Sequence, residues 1–386
     1  MSLCRDCLCD MKKTDKAVSI IIFLQLIIML CSLSALAVEN NSDIYDAFSA
    51  SEIMDSLPQE TSELLELLEI DSVEFDSVFN VDAEGCLAVA ERLLTGGIES
   101  PLKSMVRLIA IIIMVALFES FLGDEKNYRT TVEVVAALLC TLSVIEPVSV
   151  AITSAVSSVN VAEKFMLTLI PVLAVIVSVA GNPTLAVSFQ SIAFYGAQAI
   201  SLLAKSVVVP VVGAVLALDI TASVMPAFSL SGLTELIKKS LTAVLSIGAS
   251  LFMSFLGIKG VLANAADTVA GKGIKMIISS VVPVVGGALS EAYSGIMGSI
   301  VLVRSTVGII GICIIALISL PSIIQLLFWI FALRLASSVA VLFEQKTIAS
   351  LLKSLSSSIT LLNVVLLFVA VLFILSTALL ISIRAG

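Results

Sequence analysis

The sequence predicts an all-α, polytopic membrane protein of seven to nine spans, several of them kinked or broken at proline, with a small acidic exported helical segment. Three observations predict it. First, 59% of the 386 residues are hydrophobic and 13% charged, with a mean hydropathy of +1.14. A soluble globular chain is about half apolar and about a quarter charged, so too little polar surface remains here to coat a water-soluble core. Second, no residue between Lys164 and Lys205 is charged. At about 1.5 Å per residue that run is roughly twice what a ~30 Å hydrocarbon slab requires. It has to fold back on itself, and Gly181-Asn182-Pro183 in its middle is the turn. Third, VVPVVG occurs at Val208–Gly213 and again at Val281–Gly286, with a looser LIPVL at Leu169–Leu173. Each copy follows a lysine by a few residues: Lys164, Lys205 and Lys275. A proline frees one backbone carbonyl, which in lipid can be satisfied by neighbouring helices or Ser/Thr side chains.

Composition also excludes. The chain has no histidine, which removes Ser-His-Asp and Cys-His catalysis, HExxH zinc sites and histidine proton relays. It has no Gly-rich phosphate loop of the Walker type, so any energy comes from a partner or a gradient. No catalytic residue, cofactor site or metal site is read from the sequence, and the chain is not expected to be an enzyme or to bind nucleic acid.

Residues 1–37 read as a secretory signal peptide. Lys12, Lys13 and Lys16 precede an apolar stretch from Ala17 to Leu30, and Ser34-Ala35-Leu36-Ala37 supplies the small residues a signal peptidase needs, with cleavage after Ala37. The rival reading is an uncleaved first span. Cys4, Cys7 and Cys9 have no fourth ligand nearby and precede the cleavage point, so they are weak evidence for metal.

Residues 38–100 form an acidic extracytoplasmic segment. They carry sixteen Asp or Glu against the single Arg92, a net charge near −15. Pro58 and the acids that follow it mark a helix start, with carboxylates at the positive end of the helix dipole. Leu64, Leu65, Leu67 and Leu68 give that helix an apolar side to bury. Two readings stay open: a helical cap with a solvated acidic face, or a docking region for a basic partner in which Glu63, Glu66 and Glu69 make the contact.

Residues 101–386 form the membrane domain, embedded in the lipid bilayer. Candidate spans are 102–122, 131–153, 165–181, 184–204, 206–224, 240–258, 276–303, 305–333 and 355–383. With the amino terminus exported, nine spans place Lys238, Lys239, Arg304 and Arg384 in the cytoplasm, as the positive-inside rule favours. Lys259, Lys272, Lys275, Lys346 and Lys353 then fall outside, which it does not. Pro171, Pro210, Pro283 and Pro321 all lie within spans. Ordinary kinking accounts for any one of them, whereas the threefold lysine-to-proline spacing suggests related broken helices of the kind transporters and channels use.

Ionisable groups at membrane depth are costly and default to functional candidates. Arg107, Glu119 and Glu133 lie near span ends, and Glu146 before Pro147 hints at a span boundary. Asp219, Glu291 and Arg304 lie deeper, Glu291 in the glycine- and serine-rich stretch from Gly286 to Ser299. Glu291 and Arg304 are too far apart on one helix to pair directly. Pro171, Pro210, Asp219, Pro283, Glu291 and Arg304 are therefore the candidate conduit or helix-break residues.

This layout resembles the stage III sporulation protein AE family of endospore-forming bacteria. The stretches that carry the likeness are Phe165–Pro171, Val282–Gly286 and Thr306–Gly311, in that order, and it extends over nearly the whole chain after the signal segment. The resemblance implies a permease-like membrane subunit of an assembly between mother cell and engulfed forespore. Its implied partners are other proteins of the stage III sporulation A operon, including a secretion-type ATPase and ring-forming proteins. It implies no catalytic or ligand-binding residue. Two other functions stay open: a stand-alone secondary transporter with Asp219 or Glu291 as coupling carboxylate, and a structural membrane anchor for ring proteins.

Overall fold

In a computed structural model of the chain, secondary structure is described for residues 57–68, 70, 83–122, 126–224, 231–281 and 286–382, and no side chain between 266 and 294 is described. The signal segment 1–37, Glu69, Pro283 and the side chain of Glu291 lie outside the described residues, as does much of the acidic stretch. The elements are α1 (Gln59–Glu66), α2 (Ala83–Leu122), α3 (Lys126–Val179) and α4 (Pro183–Leu203). A π-helical turn (Ala204–Val208) follows, then α5 (Val209–Val224), α6 (Ser231–Val281), α7 (Gly286–Leu342) and α8 (Lys346–Ser382). The fold is all-helical.

Six stretches among the described residues are long and apolar enough to cross a membrane: α2, α3, the continuous α4–π–α5 column, α6, α7 and α8. The count sits just under the seven to nine read from the sequence because neighbouring candidates run together. Spans 131–153 and 165–181 fuse into α3, 184–204 and 206–224 fuse into α4–π–α5, and most of 276–303 joins 305–333 in α7. Pro147 marks no boundary: both it and Pro171 lie inside α3, as Pro101 lies inside α2 and Pro321 inside α7. A proline removes one i→i−4 hydrogen bond, and in an apolar medium the helix on either side has no better partner for its remaining backbone groups.

The expected turn at Gly181-Asn182-Pro183 is present. Gly181 adopts φ 84°, the left-handed conformation that glycine takes without a Cβ penalty. The Asn182 N–H donates to the Val177 carbonyl and the Gly181 N–H to that of Ser178, both at 3.1 Å, which closes α3 with a Schellman motif. Pro183 then opens α4 at its first turn, where a missing N–H costs nothing. α7 ends by the same device, Gln345 N–H to Ala340 carbonyl at 2.9 Å and Glu344 N–H to Val341 carbonyl at 3.1 Å, but with Glu344 in the left-handed position at φ 58°. That turn is anchored: the buried Gln345 side chain donates from Nε2 to the Ile112 carbonyl of α2 at 3.0 Å, and the Thr347 hydroxyl donates to Glu133 Oε2 of α3 at 2.6 Å.

The α7–α8 hairpin is the centre of the bundle. Its apolar windows are 78% and 61% buried, against 17% to 39% for the other four. α2 and α3 pack on α7, α4 pairs with α3 across the Gly181 turn, α6 packs on α4, and α5 lies against α8. The short acidic α1 rests on α7 and buries Leu64, Leu65 and Leu68 in the main core, with Glu60 and Glu66 facing outward. α2 runs unbroken across residues 100 and 101.

Candidate functional site: polar groups inside the helix bundle

Asp219 is the most enclosed of the candidate carboxylates among the described residues. It stands on α5 with only 3% of its surface exposed. Its Oδ2 accepts from Lys238 Nζ of α6 at 3.0 Å and from the Ser358 hydroxyl of α8 at 2.8 Å. Lys238 Nζ also donates to the Ser357 hydroxyl at 3.2 Å. One charged node therefore ties three helices. Burial of the carboxylate is tolerable because a counter-charge and a hydroxyl donor stand in place of water.

A second ion pair lies about 21 Å away along the same helical column, taking fourteen residues at 1.5 Å each. Lys205 Nζ stands 2.5 Å from Glu163 Oε2 of α3, and the Ser201 hydroxyl donates to the same oxygen. Lys205 sits within the π-helical turn, whose Val209 N–H reaches back to the Ala204 carbonyl. Pro210 follows directly. With no N–H of its own and a ring that crowds the carbonyl four residues back, it favours a widened turn at this place, and such single-turn π-bulges are frequent at functional sites. Sequence reasoning named Pro210 and Asp219 but not Glu163. The signal was available: Glu163 and Ser201 stand at mirror positions about Gly181-Asn182, so an antiparallel hairpin brings them together.

The remaining candidates are dispersed. Arg304 is buried on α7, with Nη2 3.2 Å from the Ile381 carbonyl of α8, far along the helix from either ion pair. Pro171 lies on an exposed stripe of the continuous α3 and Pro210 on an exposed face of α5. Pro283 and the Glu291 side chain are outside the described residues. Of the docking candidates, Glu63 pairs with Arg92 of α2 at 2.6 Å, Glu66 is exposed, and Glu69 is not described.

The residues sequence reasoning missed line an open cleft of about 510 Å³ between α1, α2, α3 and α7. Its floor holds the Ser322 hydroxyl, 2.7 Å from that of Ser158 and 3.2 Å from that of Ser154. Pro321 and Leu317 also line it. Since proline has no N–H to donate four residues back, the carbonyl of Leu317 loses its helical partner beside this cleft. Serines are common in membrane helices, and only the rotation of α3 against α7 reveals which ones meet. Among the described residues no three His, Cys, Asp or Glu converge to hold a metal. The arrangement can hydrogen-bond, pair charges and admit water.

Residues 75–384, most of the chain, match the family described as stage III sporulation protein AE. The chain belongs to that family. Among curated relatives, stage III sporulation protein AE of Bacillus subtilis (strain 168) is 21% identical over 281 residues, covering 73% of this chain and 70% of the relative. No solved structure matches the chain. Membership of the stage III sporulation protein AE family, with six apolar helices, makes this a sporulation-related membrane protein. Within the matched residues α7 and α3 touch closely: a Cβ on Gly311 would stand 2.6 Å from a methyl of Leu169.

Proposed function

We propose that the chain is the permease-like membrane subunit of a secretion-like conduit between mother cell and forespore, needed for forespore development after engulfment. In this reading it lies in the mother-cell membrane around the forespore, with its acidic amino-terminal segment in the intermembrane space. Its partners are a secretion-type ATPase, which supplies the motor this chain lacks, and ring-forming proteins of the same operon. The observation that supports the reading is a polar cleft that reaches from the acidic helix α1 to Ser322 within the apolar span 298–342 of α7. A pure anchor has no need of hydroxyls and an open volume among its spans, because polar groups at membrane depth are costly unless they serve a path or a contact.

The experiment is a clean deletion in the spore-forming host, scored by microscopy for forespore volume and by a reporter for late forespore gene expression. Collapsed forespores with silent late expression are expected after engulfment. Normal forespores would overturn the conduit reading.

A further inference from the structure

We propose that the cleft between α1, α2, α3 and α7 is a binding site for a small zwitterion with an apolar side chain, the size of a neutral amino acid. Its volume of about 510 Å³ lies within the roughly 300–1,000 Å³ usual for small-molecule sites. The charges at its mouth come in both signs. Glu60 and Glu63 supply carboxylates and Arg92 a guanidinium, and Glu63 and Arg92 stand 2.6 Å apart. An ammonium and a carboxylate carried on one carbon span a similar short distance, so such a ligand meets both partners at once. Arg92 is exposed and offers a planar fork of donors suited to a carboxylate.

Below the mouth the wall changes. Ser154 and Ser158 flank Ser322, with Leu317 and Pro321 beside them. Leu64, Leu93 and Val161 add apolar surface to the lining that takes a branched side chain. The two acids at the mouth against one base disfavour polyanions. Helix α1, held by three buried leucines and the Glu63–Arg92 pair, forms one side of the entrance. The assignment rests on the cleft and not on the conduit reading.

Equilibrium binding of tritiated L-leucine to the purified full chain in lipid nanodiscs tests it. Saturable binding at one site per chain is expected. 4-Methylpentanoate, which lacks the amine, and 3-methylbutylamine, which lacks the carboxylate, should each compete at least about tenfold more weakly, the loss of one charge-assisted hydrogen bond. Gly96 lines the cleft with nothing within 4 Å of where a Cβ would stand, so Gly96→Trp fills the volume without forcing the helix aside. It should abolish binding while leaving the melting temperature within a few degrees of the parent. Absence of saturable binding, binding indifferent to Gly96→Trp, or equal competition by either half-ligand would each overturn the proposal. A normal forespore in the deletion strain would sink the conduit reading and leave this one standing, so the two failures are distinguishable.

Discussion

At the scale of single residues, the node formed by Asp219, Lys238 and Ser358 carries the sharpest consequence, because both charges are largely withdrawn from water. Removing one partner of a buried pair leaves an uncompensated charge, at a cost of about 3–5 kcal/mol, whereas replacing both with neutral groups of similar volume is often close to neutral. Lys238→Met should therefore lower the melting temperature of the purified protein markedly. The double variant Asp219→Asn, Lys238→Met should recover most of that loss. The same double variant separates two functions. If the pair is a staple, sporulation in the double variant matches the parent wherever the protein accumulates normally. If Asp219 is a coupling carboxylate, sporulation fails at normal protein level, and a secondary transporter becomes the better reading.

At the scale of elements, the α4–π–α5 column shows how a local rule and a tertiary contact meet. A π-turn holds one more residue than an α-turn, and one residue of α-helix is about 100° of rotation. The extra residue therefore sets the phase of Asp219 on one side against Lys205 on the other, and both are fixed by ion pairs to other helices. Deleting Ser206 together with Pro210→Ala should convert the π-turn to plain α-helix and leave both pairs in phase. Deleting Ala214 instead turns Asp219 away from Lys238. The first variant should accumulate in membranes and melt near the parent; the second should do neither. Equal damage from both would show that the π-turn does not set the phase. The turn at Gly181 was legible from three residues, since Gly-Asn-Pro between apolar runs leaves the chain few other conformations. The fusion of spans around Pro147 was not. Hydropathy and proline position mark where a helix is weakened, and only packing against α7 and α8 decides whether it continues. The same limit hid the cleft: Ser154, Ser158 and Ser322 are unremarkable singly, and their meeting depends on how two helices are rotated that bring together residues 164 and 168 apart in the chain.

At the scale of the whole molecule, an even number of crossings changes which charges face which side. If α2, α3, α4–π–α5, α6, α7 and α8 each cross once, the start of α2 and the end of α8 share a face. With the start of α2 outside, Lys126, Arg129, Lys238, Lys239, Lys346 and Lys353 come to cytoplasmic ends of helices. Lys346 and Lys353, which a nine-span count put outside, are then accounted for by the positive-inside rule, at the cost of exposing Lys259 and Arg384. Cysteine chemistry checks this directly. Cys86 is exposed near the start of α2, while Cys140 and Cys313 are buried. In a chain with Cys4, Cys7, Cys9 and Cys31 changed to serine, a membrane-impermeant maleimide added to intact protoplasts should label Cys86 and neither of the others. Labelling only after permeabilisation would place α1 and the mouth of the cleft in the cytoplasm. The acidic segment would then face the motor's compartment instead of the intermembrane space, and a solute bound in the cleft would enter from the mother cell.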